Sequence, residues 1–375
     1  MRSRTFVNPV RSVATTLSLA LLALAMPASA EVDVPALIKR AKPAIVTIVG
    51  YDAAGEPSQI GTGFFVDRRG YLVTNRHVLQ GAVRAEVKGT SGRTYPIERV
   101  LAEDEWGDLI KVKVGIPITR VRVLRFARQL PETGERVIVI GSPFGLEQTV
   151  SDGIVSTVRD FDDVGKVLQI TAPVSPGSSG SPVINAKGHV IGVATVQLAA
   201  GQNLNFALPS ARVLEMKSEK TQSFSEWSGE SHARAALTAS AAGKWHQAIE
   251  LYEAAAVLRP DSAEVANGLG VAYHALGKYR EAFASYQHAL SLNPSYAEAH
   301  YHVGELYGTA EQWDDAIAAY CEAIRQNEDY AEAHRKLSVA YSRTGNEDAA
   351  AKQVALLEKL DPDLAAAAAR EIEDQ

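Results

Sequence analysis

Through the second half of the chain, alanine recurs at every thirty-fourth position: Ala248, Ala282, Ala316 and Ala350. Ladders of the same step run through Ala255, Ala289 and Ala323, and through Tyr252, Tyr286 and Tyr320. Pro260, Pro294 and Pro362 share the period, with Glu328 on the missing rung. Such a period, in segments rich in Ala, Glu, Leu and Tyr with helical apolar spacing, predicts stacked helix pairs. Small residues let two helices approach closely. Tyrosine and leucine fill the gaps between units, and proline stops the second helix.

Four units are expected, over 229–262, 263–296, 297–330 and 331–364, with a polar-faced capping helix over 365–375. The first is degenerate, carrying Ala235, Ala236 and Ala239 where Leu, Gly and Tyr are expected, and the third has Glu311 at the mid-repeat glycine position. The second is clearest: Leu269, Gly270 and Tyr273, then Ala282, Tyr286, Ala289 and Pro294. It resembles the tetratricopeptide (TPR) repeat. That resemblance implies a concave groove that binds peptides or partner proteins, with Asn267, His274, Tyr301, Glu305 and Arg335 on the groove-facing helices. His300 and His302 are two apart and do not share a helix face, so no metal or cofactor is expected there or elsewhere. Cys321 is the only cysteine. No internal disulfide is expected, and its helical context predicts a small buried residue.

The first thirty residues read as a signal peptide. Arg2, Arg4 and Arg11 precede an apolar run, "LSLALLALAM", and Ala28-Ser29-Ala30 offers a cleavage site. The run is too short to span a bilayer comfortably. A periplasmic or secreted protein is therefore expected. The net charge of −6 argues against a nucleic-acid partner, which needs a basic face.

Between residues 31 and 215 the pattern changes. Short apolar runs such as "AIVTIVG", "LIKVKV", "RVIVIG" and "HVIGVATVQL" are separated by Gly, Asp or Pro. Many short strands with regular turns predict a β-sandwich or barrel. The polar stretch "KSEKTQSFSEWSGES", which begins at Lys217, reads as a linker to the helical half, placed over 216–228.

Within the β-rich half, "LVTNRHVL" carries His77, "EDEWGDLIKVKV" carries Asp108 and "SPGSSGSPV" carries Ser179. The order His, Asp, Ser is that of the chymotrypsin arrangement. Four ordered blocks, "GTGFFVDRRGYLVTNRHV", "GSPFGLEQTVSDGIVS", "SPGSSGSPVIN" and "NLNFALPS", resemble the HtrA/DegP-type trypsin-like serine proteases. The resemblance spans about Ala36 to Val213 and implies a two-barrel fold. It also implies roles. His77 would take the proton of Ser179 and return it to the leaving amine, and Asp108 would orient the imidazole. The N–H groups of Gly177 and Ser179 would form the oxyanion hole. Glu103, Asp104 and Glu105 are rival acids, and Ser178 and Ser181 rival nucleophiles. Gly177 and Gly180 suit a pre-set turn better than a tether.

The same resemblance puts Pro173 at the base of the substrate pocket, with Asn205, Phe206 and Ala207 along a wall. No charge lies at the base, so cleavage after small or medium apolar residues is expected. Such proteases often form trimers, so a homo-oligomer is implied. They commonly carry PDZ domains, whose place the TPR array takes here. The competing reading is a protein-binding scaffold whose protease domain is silent.

Overall fold

In a computed structural model, the structure describes residues 33–142, 148–195, 204–217 and 221–373. The expected signal peptide, 1–30, lies outside the described residues. No helix among them is long and apolar enough to cross a membrane.

After a short helix α1 (Val34–Ala41) comes a first barrel of six strands. These are β1 (Ile45–Tyr51), β2 (Pro57–Asp67), β3 (Tyr71–Asn75), β4 (Arg84–Lys88), β5 (Thr94–Asp104) and β6 (Leu109–Val114). Their order is β5-β4-β1-β2-β3-β6, and pairing of β5 with β6 closes the ring. A two-residue strand, β7 (Arg125–Phe126), leads to the second barrel. It comprises β8 (Arg136–Gly141), β9 (Thr149–Phe161), β10 (Gly165–Ile170), β11 (Pro182–Asn185), β12 (His189–Thr195) and β13 (Asn205–Pro209). The order β11-β8-β9-β10-β13-β12 is closed by β11 pairing with β12. Closure removes the exposed sheet edges that each barrel would otherwise carry.

The alternation of side chains explains why "RVIVIG" is apolar throughout. Val137 and Val139 fill the second barrel with Leu168, Val183 and Ala207. Ile138 and Ile140 point outward instead. They meet Ile45, Phe64, Val73 and Leu109 of the first barrel in a shared layer. A strand buried on both faces has no polar period. Leu37 and Ala41 of α1, and Val213 of α2 (Ser210–Glu215), complete that layer.

The helical half consists of α3 (Phe224–Ala241), α4 (Trp245–Leu258), α5 (Ala263–Ala275), α6 (Tyr279–Leu292), α7 (Ala297–Thr309), α8 (Trp313–Gln326), α9 (Ala331–Arg343) and α10 (Glu347–Leu360). They form four pairs, as the period predicts, and α11 (Pro362–Glu373) closes the array. The ladder residues lie inside: Ala248, Ala282, Ala316 and Tyr286 are fully buried. Tyr286 packs against Gly270 and Tyr320 against Gly304, where an added Cβ would sit 2.5 and 2.6 Å from a ring carbon. Cys321 departs from expectation and is exposed. It follows Tyr320 on α8, about 100° around the helix from that inward residue.

The stretch expected as a linker is largely structured. Gln222–Ser223 forms β14, which pairs with β5. Ser223 then caps α3 in a capping box with Glu226. The cap signal S-x-x-E was present in the sequence, but its polar surroundings masked it. α3 therefore starts at Phe224, before the expected first unit at 229, and it is 18 residues long against 13 for α5, α7 and α9. The closing helix likewise begins at Pro362 rather than 365.

The turns within three helix pairs use Gly243, Gly277 and Gly345, with φ between +69° and +76°. The remaining pair has Glu311 at φ +59°. A side chain in this left-handed region costs roughly 1 kcal/mol relative to glycine. Glu311→Gly should therefore raise the urea midpoint of the array's helical signal by an amount equivalent to roughly 0.5–1 kcal/mol; an unchanged or lower midpoint would contradict this strain.

Candidate active site

His77 lies on a 3₁₀ turn, Arg76–Val78, directly after β3. Asp108 directly precedes β6. The two strands pair with Asn75 opposite Leu109, so the residues just beyond them converge. Asp108 Oδ2 lies 2.5 Å from His77 Nδ1, and Asp108 Oδ1 accepts the His77 backbone N–H at 2.9 Å. The Asp108 carbonyl accepts the Arg76 N–H at 2.9 Å and the Asn75 Nδ2–H at 3.0 Å. Asp108 itself sits at φ +49°, a position over-determined by these four bonds. An imidazole held through Nδ1 turns its Nε2 away from the carboxylate.

The neighbouring acids are engaged elsewhere. Asp104 receives Arg212 of α2 at 2.8 and 3.0 Å, and the Gly107 N–H at 2.8 Å. A Cβ at Gly107 would lie 2.4 Å from Asp104 Oδ2 and 2.6 Å from Arg212 Nε. Glu103 binds Arg76 and the Trp227 indole, and Glu105 binds Arg234. Of the four acids, the fold leaves Asp108 to the histidine. Arg212 was not singled out from the sequence, because its partner is 108 residues away.

Ser179 sits in a tight turn that enters β11. Gly177 and Gly180 both have positive φ, +91° and +84°. At Gly180 an added Cβ would lie 2.1 Å from the Thr62 carbonyl and 2.3 Å from Thr74 Oγ1. The turn is thus pressed against the first barrel, beside Asn75 and two residues from His77 in sequence. Thr62, from β2, straps it there. Its N–H donates to the Ser179 carbonyl at 2.9 Å and its hydroxyl to the Gly177 carbonyl at 2.8 Å. The same hydroxyl oxygen accepts the Ser142 N–H at 2.9 Å.

Within the turn, the N–H groups of Ser178, Gly180 and Ser181 donate to Ser175, Ala194 and Ser178 carbonyls. Those of Gly177 and Ser179 have no acceptor among the described residues. Ser179 is 3% exposed, and its hydroxyl likewise has no partner among them. The described bonds thus leave this hydroxyl and these two N–H groups without partners beside the strand that leads to His77. Ser181 also has a buried, unpartnered hydroxyl, but it faces Gly141, where a Cβ would be 2.2 Å away.

Pro173 is exposed, and its carbonyl accepts the Ser151 hydroxyl at 2.8 Å. Asn205 ties β13 to this segment, its Oδ1 accepting the Val174 N–H at 3.1 Å. The side chains of Phe206 and Ala207 do not form an open wall. They alternate along β13, Phe206 into the layer between the barrels and Ala207 into the second barrel.

On the repeats, Tyr301 donates its hydroxyl to Glu305 at 3.1 Å, and His302 Nδ1 lies 3.0 Å from the same carboxylate. Arg335 is paired with Glu371 of α11 at 2.7 Å. Burial holds His274 below the usual imidazole range. Burial and the bond to Glu253 push the Tyr273 hydroxyl up to about 12. Much of the polar surface expected to meet a ligand is therefore engaged within the array. His300 and His302 have different partners, the Pro294 carbonyl and Glu305.

Two closed barrels with a paired histidine and aspartate beside a glycine-flanked serine turn, followed by paired helices, resemble a trypsin-like peptidase domain joined to TPR repeats. Comparison with known proteins agrees. Residues 61–193, which include His77, Asp108 and Ser179, match the model of the trypsin-like peptidase domain. Residues 241–277, 272–310 and 309–345 match the TPR repeat model. Among curated relatives, the chain is 36% identical over 167 residues to serine protease HTRA1B of Danio rerio, covering 42% of this chain and 34% of that protein. It is 38% identical over 165 residues to serine protease HTRA4 of Mus musculus, covering 42% and 33%. The chain thus spans about a third of the length of these relatives. Among solved structures, the serine endoprotease from Yersinia pestis is 29% identical, with a TM-score of 0.42 over 48% of this chain and 63% of that one.

Thr62→Val, which keeps the side-chain shape but removes the hydroxyl strap, should slow fluorophosphonate labelling of Ser179 roughly 10–100-fold, because small misplacements of a reacting group are costly. Thr62→Ser should label nearly as the parent does. Equal labelling of all three would show that the strap does not position the turn.

Proposed function

We propose that this chain is an exported serine endopeptidase that hydrolyses peptide bonds of protein substrates, with the TPR array recruiting substrates or partner proteins. The observation that carries the reading is the bonded His77–Asp108 pair beside the Ser179 turn, with the Gly177 and Ser179 N–H groups left open. In this reading His77 Nε2 removes the proton as Ser179 Oγ attacks the carbonyl carbon. Asp108 stabilises the imidazolium without taking its proton. The two N–H groups receive the developing oxyanion, each worth about 3 kcal/mol of transition-state stabilisation. Collapse expels the amine with the proton from His77, and water, activated by the same imidazole, releases the acyl group.

The unpartnered Ser179 hydroxyl is compatible with an apo site whose nucleophile–base bond tightens when substrate binds. It also supports the second reading, a scaffold with a silent protease domain. Pro173 and the main chain of 205–207 are proposed to border the substrate's side-chain pocket, with small or medium apolar residues preferred. Residues 1–30 are proposed to be the signal peptide, the protease domain to run over 31–215, and the chain to self-associate as a homo-oligomer.

Incubated with an unfolded protein, the purified parent should produce fragments and become labelled by fluorophosphonate, whereas Ser179→Ala should do neither. Absent or equal cleavage, with no labelling, would overturn the enzyme reading in favour of the scaffold. Export predicts that protein recovered outside the cytoplasm starts at Glu31; an intact Met1 there would contradict it.

A further inference from the structure

α3 begins a turn and a half earlier than the groove-forming helices behind it, and the extra residues go to the first barrel, not to the repeats. Phe224 and Trp227 are buried in that barrel's core cluster with Val78, Leu79 and Ile97. Ser228 donates its hydroxyl to the Ala82 carbonyl at 2.5 Å. From this seat the Trp227 indole N–H donates to Glu103 Oε2 at 3.1 Å. The same oxygen receives Arg76 Nε at 3.1 Å, and the Arg76 guanidinium lies over the Trp227 ring, 6.0 Å from its centroid. Two turns further along α3, Arg234 binds Glu105 at 2.7 Å.

These contacts converge on the two segments that carry the base and its acid. Arg76 is the residue before His77, and its N–H holds the Asp108 carbonyl. Glu103 and Glu105 lead from β5 into the turn that ends at Asp108. One indole therefore joins both arms of the histidine–carboxylate pair. We infer that Trp227 is a positioning residue for His77 and Asp108, acting through Arg76 and Glu103, so that the first helix of the repeat array is a working part of the protease site. The inference rests on the proteolytic reading above. It differs in kind from a simple domain junction, where contacts fall far from the catalytic loops.

The test uses the full chain. Trp227→Phe keeps an aromatic ring in the apolar seat but removes the donor to Glu103. It should lower kcat roughly tenfold while KM stays within about twofold, the pattern of lost alignment rather than lost binding. Glu103→Gln, at a partly exposed site that does not disturb the core, should act in the same direction. Ser228→Ala removes a bond on the same helical turn that touches neither Arg76 nor Glu103, and should leave kcat unchanged. The low-field proton resonance of the His77–Asp108 hydrogen bond supplies a readout independent of turnover. It should shift or broaden in Trp227→Phe and Glu103→Gln, and not in Ser228→Ala. Parent-like kcat and resonance in both altered proteins would overturn the inference, as would equal losses in all three. If the parent neither cleaves nor is labelled at Ser179, the proteolytic reading fails, and the resonance alone decides whether the indole positions the pair.

Discussion

Everything at the candidate site depends on the apolar layer between the two barrels. Ile45, Phe64, Val73 and Leu109 on one side meet Ile138, Ile140, Ile184 and Leu208 on the other. Each such side chain contributes roughly 1.5–3 kcal/mol when fully buried. That layer holds the Ser179 turn of the second barrel against strands β2 and β3 of the first. The polar bonds then refine what the layer brings together. Thr62 reaches across the seam to two carbonyls of the serine turn, and each bond is short because the surrounding packing leaves little freedom.

The histidine–carboxylate pair has a different origin, internal to the first barrel. Antiparallel register places Asn75 opposite Leu109, and the chain leaves each strand on the same side. Asp108 must adopt a left-handed backbone to turn its carboxylate toward His77, and the Asp104–Arg212 pair packed on Gly107 supports that turn from behind. Three carboxylates along residues 103–105 thus tie the loop to α2, to α3 and to the turn before His77. Their charges serve structure, and the fourth is left to His77.

The period of 34, the β-rich pattern and the order of His77, Asp108 and Ser179 were all legible in the sequence. They are local or periodic signals, and local signals survive without coordinates. The preference for Asp108 over its neighbours rested on resemblance alone in the sequence; in the fold Asp108 bonds His77, while 103–105 bond basic or indole partners. The misreadings share one cause. Residues 222–228 are polar in sequence yet bind a barrel edge and core, and Cys321 falls just off the inward stripe of α8. Each depends on which neighbour a side chain meets across a long separation.

By itself, the sequence determined the elements: short strands, helix pairs of a set length, a serine turn that only glycines allow, and the residue types a proton relay needs. Tertiary structure alone decided the pairings, Thr62 with the serine turn, Arg212 with Asp104, and Trp227 with Glu103 and Arg76. Backbone propensity acts over a few residues, whereas these contacts join positions more than a hundred apart, and they exist only once two barrels and a helix have closed on one another.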